Sequence, residues 1–297
     1  MRRFLVIAVL TALLTLLFSY PLTLVDDLGR VVTINSLPHR VVSAAPAATR
    51  YLIYLNLQEK VVGVTSWDIL NVEKIGNMVP LNIEKIVSLK PDVVLTFGGF
   101  QAGEIPKLEK FGLTVFAINP TTLTDILRDL VLVGTIFSKG EEAKQLADEL
   151  QKKMLEVAKK AYKVPVDKRL KVLYLMGTPD SGMKEFWTAV AGSYMNDLIT
   201  LAGGRNIAGN LSGPNGWAPV SLEYIVKENP DAIIVASFIP DSDEKVMNSI
   251  LSYQPFSQLK AAKNKKVLVV DGNVANQPSP QIFKLLEEVY RFLYEEE

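Results

Sequence analysis

The stretch NIEKIVSLKPDVVL at residues 82–95 returns as SLEYIVKENPDAII at residues 221–234, with the Glu, the Ile-Val pair and the Pro-Asp in register. In each copy a capping residue, Asn82 or Ser221, precedes a short helix, and Pro-Asp closes the helix and opens a strand. Glu84 and Glu223 then fall in first helical turns. Read alone, they are helix-start acids, a placement that gains about 0.3 to 1 kcal/mol from the helix dipole.

The repeat is one phrase of a longer alternation. Short β-branched runs stand at 41–43 (VVS), 61–64 (VVGV), 92–97 (DVVLTF) and 113–118 (LTVFAI), and again at 170–176 (LKVLYLM), 231–237 (DAIIVAS) and 265–271 (KKVLVVD), with helical patterns between them. Continuous apolar runs bounded by Gly, Pro and Asp predict strands buried on both faces, hence mostly parallel sheets flanked by helices. At 297 residues the chain exceeds the usual size of one core, and two α/β lobes are expected. Between them lies SKGEEAKQLADELQKKMLEVAKKAYKVP. Ser138 and Glu141 read as a capping box there, Pro165 as a stop, and Leu146, Leu150, Met154, Val157 and Ala161 as one apolar stripe. The pattern predicts a single rigid helix of about 25 residues, nearly 40 Å long at ~1.5 Å per residue, joining the lobes. With no Pro or Gly pair to kink it, lobe closure is expected to be a few degrees of rocking. The domain reading is thus a signal peptide or anchor at 1–20, an N-terminal lobe at 21–137, the connecting helix at 138–164 and a C-terminal lobe at 165–297.

The N-terminus sets Arg2 and Arg3 before an apolar run from Phe4 to Phe18, the charge order of a secretory signal and short of the ~20 residues of a membrane span. Export is expected, to the periplasm or another extracytoplasmic space, with an uncleaved tether as the alternative. Lys+Arg and Asp+Glu are 32 each, which leaves no basic surplus for nucleic acid. There is no cysteine and one histidine, which excludes disulfides, Cys-ligated metals, a lipidated cysteine and multi-histidine metal sites. FGGFQAG and AGGRNIAG do not make a dinucleotide fingerprint, and no Ser-His-Asp set assembles around His39, which reads as a surface residue.

The ordered set DDLGRVVTINSLPHRVVSAAPAAT (26–49), VVGVTSWD (61–68), the two copies of the repeat, the long central helix and GGRNIAG (203–209) resembles the class III periplasmic binding proteins, exported receptors that deliver ferric siderophores, haem or cobalamin to ABC importers. The resemblance runs from about residue 25 to the C-terminus. It implies that Glu84 and Glu223, one per lobe, meet arginines of a permease dimer in the membrane, which explains why the phrase is written twice. It further implies a monomer that carries a small-molecule metal chelate, with no catalytic cofactor, no metal site of its own and no enzymatic activity; an exported chelatase-like enzyme is the rival class.

Ligands of such sheets sit beyond the carboxyl ends of the strands. That places Pro46, Trp67, Phe97, Phe100 and Met176 at the ligand, with Trp187, Trp217 and Phe238 from later loops; all three tryptophans are expected in or beside such loops, none in the centre of a strand or helix. Trp67 and Trp217 match aromatic positions of the cobalamin receptors, whereas Met78, six residues before Glu84, departs from them. Arg205 and Lys184 are the cations a ferric siderophore receptor would use. Arg50 stands where the family usually has an acid. The expected cargo is an iron chelate, with a corrinoid or haem as the alternative.

Overall fold

The computed structural model describes residues 20–179 and 183–295, so the N-terminal targeting segment lies outside the described residues. Among the described residues, contacts divide the chain into two compact units, one running up to residue 119 together with 129–145, the other 120–128 together with the chain from 146 onward.

In the first unit an antiparallel hairpin, β1 (Leu22–Val25) and β2 (Val31–Ile34), precedes a parallel sheet. The sheet comprises β3 (Val41–Ser43), β4 (Val61–Val64), β5 (Val93–Phe97) and β6 (Val115–Ile118) in the order β4-β3-β5-β6. Its strands are almost wholly buried, as uninterrupted β-branched runs require. Helices α1 (Pro46–Tyr54), α2 (Ile83–Ser88) and α3 (Ile105–Glu109) connect them. Ile86, Ile105 and Leu108 pack with Val42, Val94 and Val115 into one core. The hairpin is held by DDLGR. The buried Asp26 carboxylate accepts from the N–H groups of Leu28, Arg30 and Ala117 at 3.1, 2.9 and 3.2 Å, and from the Arg30 guanidinium at 2.5 and 3.0 Å. Gly29 turns the chain at φ 74°.

Two helices carry residues of both units: α4 (Leu123–Ile136) and α5 (Gly140–Tyr162). The chain therefore passes from one unit to the other at 119/120, 128/129 and 145/146, and the expected single joining helix is only part of the connection. In α5 the predicted stripe is the covered face, with Leu150, Val157 and Ala161 buried. Its start differs from the capping box expected at Ser138. Ser138 instead adopts φ 57° after α4, and the N–H of Lys139 donates to Gly134 O at 2.8 Å, a left-handed helix stop. A residue committed to ending one helix is not free to cap the next, and α5 begins at Gly140.

The second unit repeats the plan. β7 (Lys171–Leu175), β9 (Arg205–Asn206), β11 (Ala232–Ser237) and β12 (Val267–Asp271) form a parallel sheet in the order β9-β7-β11-β12, while β8 (Glu185–Ala189) and β10 (Trp217–Ser221) form a separate antiparallel pair. Helices α6 (Tyr194–Leu201), α7 (Leu222–Glu228), α8 (Asp243–Ser252), α9 (Gly272–Ala275) and α10 (Ile282–Tyr294) accompany the strands. Leu173, Leu175, Ile233, Val235, Ile250 and Phe256 centre the core. No helix among the described residues is long and apolar enough to cross a membrane.

The repeated phrase has one local structure in both units. Asn82 Oδ1 accepts from Lys85 N–H at 3.0 Å, and Ser221 Oγ from Tyr224 N–H at 3.2 Å. Each copy then turns through a left-handed residue, Lys90 at φ 48° and Asn229 at φ 49°, just before its proline. The aspartate that follows fastens two strands together. Asp92 donates its N–H to Arg40 O at 2.8 Å and accepts Arg40 N–H at 2.8 Å; Asp231 does the same to Lys171 at 2.8 and 2.9 Å. The Pro-Asp pair thus sets the register of β5 against β3 and of β11 against β7.

Candidate functional site

In the first unit the carboxyl ends of β3, β4 and β5 gather Pro46, Trp67, Phe97 and Phe100. Pro46 is the first residue of α1. Trp67 is 80% exposed in the turn after β4, and Phe100 is 51% exposed with its ring centroid 6.1 Å from that of Phe97. These loops are fastened from beneath. Gln101, fully buried, accepts Phe97 N–H at 2.7 Å and donates to Ala44 O and Met78 O, each at 2.8 Å. One amide therefore ties the ends of β3 and β5 to the Met78 loop, and Met78 joins this group. Asp68 holds the Trp67 turn: it accepts the Thr49 hydroxyl at 2.5 Å and Leu70 N–H at 3.2 Å. Gly98 has no alternative, because a Cβ there would lie 2.2 Å from Asn119 Cβ. Neither Gln101 nor Asp68 stands out in the sequence, since a buried amide and a turn aspartate carry no spacing signature.

Glu104 is the other fastener of the Met78 loop. Its carboxylate, 7% exposed, receives Lys107 Nζ at 2.8 Å and Leu81 N–H at 3.1 Å. The hydrogen bond from Lys107 holds its pKa below the usual 4.5, against burial, which pushes it up. A depressed carboxylate stabilises the fold fully above the ordinary Glu range, and this contribution is lost as pH falls through the lowered folded value. Glu104→Gln is accordingly expected to destabilise the protein at pH 7, with the gap to the parent narrowing as pH falls below the ordinary Glu range; urea unfolding across that pH range measures it, and a gap that stays constant would refute it.

In the second unit Met176 follows β7 and Phe238 follows β11, with Phe238 54% exposed and its ring against Gly272. Trp187 is 53% exposed and lines a cavity of about 230 Å³ with Met176, Gly177, Thr178 and Met183. The expectation that no tryptophan is central in a strand is corrected here for Trp187. Trp187 is central in β8 and pairs with Pro219, and Trp217 begins β10. The β8/β10 pair has one covered face, with Phe186 and Val220 buried, so the side chains that alternate with them, Trp187 among them, turn to the open face. Trp217 packs at a tilt against buried Tyr174, with ring centroids 5.9 Å apart, and edge-on to buried Tyr194 at 5.7 Å. Burial pushes both phenols up, so they stay protonated. Tyr174 donates to Asn276 Oδ1 at 2.6 Å, Tyr194 to Ala275 O at 3.0 Å, and Asn276 Nδ2 donates to Met176 O at 2.9 Å. This network links Trp217 to the end of β7.

Arg205 is not brought to that end. It pairs with Lys171, the first residue of β7, at the amino end of the sheet. Its sequence neighbours GGRN resemble a loop, but its strand is only two residues long and starts level with β7. Lys184 stands beside Glu223 instead. Glu223 is exposed in the first turn of α7, and its own backbone N–H, then the Ser221 hydroxyl, then Lys184 hold its carboxyl below the usual range. Glu84 is exposed in the matching turn of α2. Arg50 is buried on α1, and His39 is exposed, its N–H donating to Asp92. Among the described residues no cluster of His, Asp and Glu is arranged to hold a metal ion.

The model of the periplasmic binding protein family matches residues 41–274. An uncharacterized ABC transporter substrate-binding lipoprotein of Bacillus subtilis is 28% identical over 284 residues, 93% of this chain and 86% of that protein. A vitamin B12-binding protein of Pectobacterium atrosepticum is 25% identical over 228 residues, 74% of this chain and 78% of that protein. A solved molybdate periplasmic binding protein of Haemophilus influenzae, 24% identical, matches with a TM-score of 0.79 over 92% of this chain and 91% of its own, a likeness of fold.

Proposed function

Because the chain belongs to the periplasmic binding protein family, we propose that it is an extracytoplasmic receptor of an ABC importer that captures a metal chelate and hands it to a permease. It acts by binding rather than catalysis. The observation that carries this reading is the set of exposed aromatic rings at the carboxyl ends of parallel strands, Trp67 and Phe100 in one unit and Trp187 and Phe238 near the same ends in the other. Large flat rings contribute contact area at low entropy cost and suit a flat metal complex.

A ferric siderophore and a corrinoid or haem both fit that description. One observation favours the macrocycle: the cations offered for a negatively charged ferric chelate lie elsewhere, Arg205 at the amino end of β7 and Lys184 beside Glu223. The B12-binding relative points the same way. Pro46, Met78, Phe97, Met176 and Trp217 complete or support the proposed ligand surfaces, and Glu84 and Glu223 are the proposed permease contacts.

Titrating the protein with cobalamin, haem, a ferric catecholate and a ferric hydroxamate while following tryptophan fluorescence tests the assignment. Saturable quenching by cobalamin or haem is expected, weakened about tenfold or more by Trp67→Ala or Trp187→Ala, the usual scale for removing an aromatic anchor. Quenching by the ferric catecholate alone would return the cargo to an iron chelate, and no saturable response to any of the four would overturn the metal-chelate reading.

A further inference from the structure

The displaced Arg205 belongs to a second cavity. At the amino end of the second sheet, about 16 Å from Met176 at ~3.3 Å per strand residue, lies a hollow of about 570 Å³ lined by Arg169, Lys171, Thr200, Arg205, Asn210 and Glu228 among others. Its charges do not cancel. Glu228 is taken by Lys171, whose Nζ lies 3.1 Å from Glu228 Oε2 and 2.9 Å from Glu228 O. The Arg205 side chain enters no hydrogen bond or ion pair among the described residues. Arg169 Nε is buried with no hydrogen-bond partner among them. Arg169, Lys171 and Arg205 against the single carboxylate of Glu228 leave the hollow net positive.

The shape of the charge selects the ligand. Each guanidinium presents a planar fork of donors that matches an oxyanion in bidentate fashion. A carboxylate has two oxygens and answers one fork, whereas a tetrahedral phosphate group has oxygens for both. Asn210 and Thr200 on the same wall add neutral polar groups. We propose that this cavity is a binding site for a phosphate-bearing anion, separate from the aromatic surfaces at the other end of the sheet.

The phosphate group has two sources, a free phosphorylated solute or the headgroup of an anionic lipid. Calorimetry with inorganic phosphate and with glycerol 3-phosphate reads the first; co-sedimentation with phosphatidylglycerol vesicles against phosphatidylcholine vesicles reads the second. Saturable binding in either arm is expected, reduced about tenfold by Arg205→Ala and by Arg169→Ala and only partly by Arg205→Lys, because a lysine keeps the charge and loses the fork. Lys184→Ala, on a different surface, is expected to bind as the parent does. Arg205 is exposed, so its replacement leaves the fold intact, and this variant decides if Arg169→Ala misfolds. Absence of saturable binding in both arms, or binding that Arg205→Ala leaves unchanged, would overturn the proposal. Neither outcome bears on the chelate reading, which is measured by fluorescence at the opposite end of the sheet.

Discussion

Replacing Glu84 and Glu223 together by alanine is expected to reduce transporter-dependent uptake by at least about a hundredfold while the ligand affinity of the isolated protein stays within about twofold. Truncating one partner of a hydrogen-bonded charge pair at an interface costs about 2 to 5 kcal/mol, and two pairs are removed. Each glutamate sits exposed in a first helical turn whose N-cap bond is made by Asn82 or Ser221, so its removal leaves the fold in place. Single variants are expected to fall between parent and double variant. Uptake measured in cells carrying the cognate importer, alongside fluorescence titration of the purified protein, separates delivery from capture. Normal uptake by the double variant would remove the permease role, and a parallel loss of affinity would move these residues into the ligand site.

Asp26→Ala is expected to cost about 2 to 4 kcal/mol of folding stability, because buried backbone donors left without an acceptor cost about 1 to 3 kcal/mol apiece. The Asp26 side chain is fully covered and answers both the Arg30 guanidinium and the backbone of β6. Its loss leaves the N–H groups of Leu28, Arg30 and Ala117 without their shared acceptor, while Arg30 keeps Glu109 at 2.6 Å and Val115 O at 3.0 Å. Against a typical total of about 5 to 15 kcal/mol the effect would be plain in a denaturant midpoint. A change below 1 kcal/mol would mean that the hairpin is held by β-pairing and burial instead.

The seven runs of β-branched residues become the seven main parallel strands to within two residues at either end, because a strand buried on both faces needs apolar side chains at every position. The hairpin β1/β2 and the pair β8/β10 were illegible for the complementary reason. They are covered on one face, so their pattern alternates, and an exposed Trp187 opposite Pro219 makes that alternation read as a loop. The repeat was legible as a repeat, but the sequence does not show that its Pro-Asp fastens β5 to β3 and β11 to β7. Of the proposed site, the aromatic residues could be read from their places after strands. The fasteners could not: Gln101 acts through three backbone partners, two of them, Ala44 and Met78, distant in sequence. Arg205 shows the converse error, in which a plausible residue type sits at the wrong end of its sheet.

The three passages of the chain between its units also limit how the molecule can be divided. A fragment ending at Gln145 carries along Pro120–Arg128, which belongs to the other unit, and the complementary fragment starts without it. Asp197 makes the dependence concrete: it accepts the backbone N–H of Leu123, a residue that such a cut leaves on the wrong piece. Neither half is therefore a self-sufficient module, and mixing two separately expressed halves would have to restore a threaded connection rather than merely bring two finished bodies together.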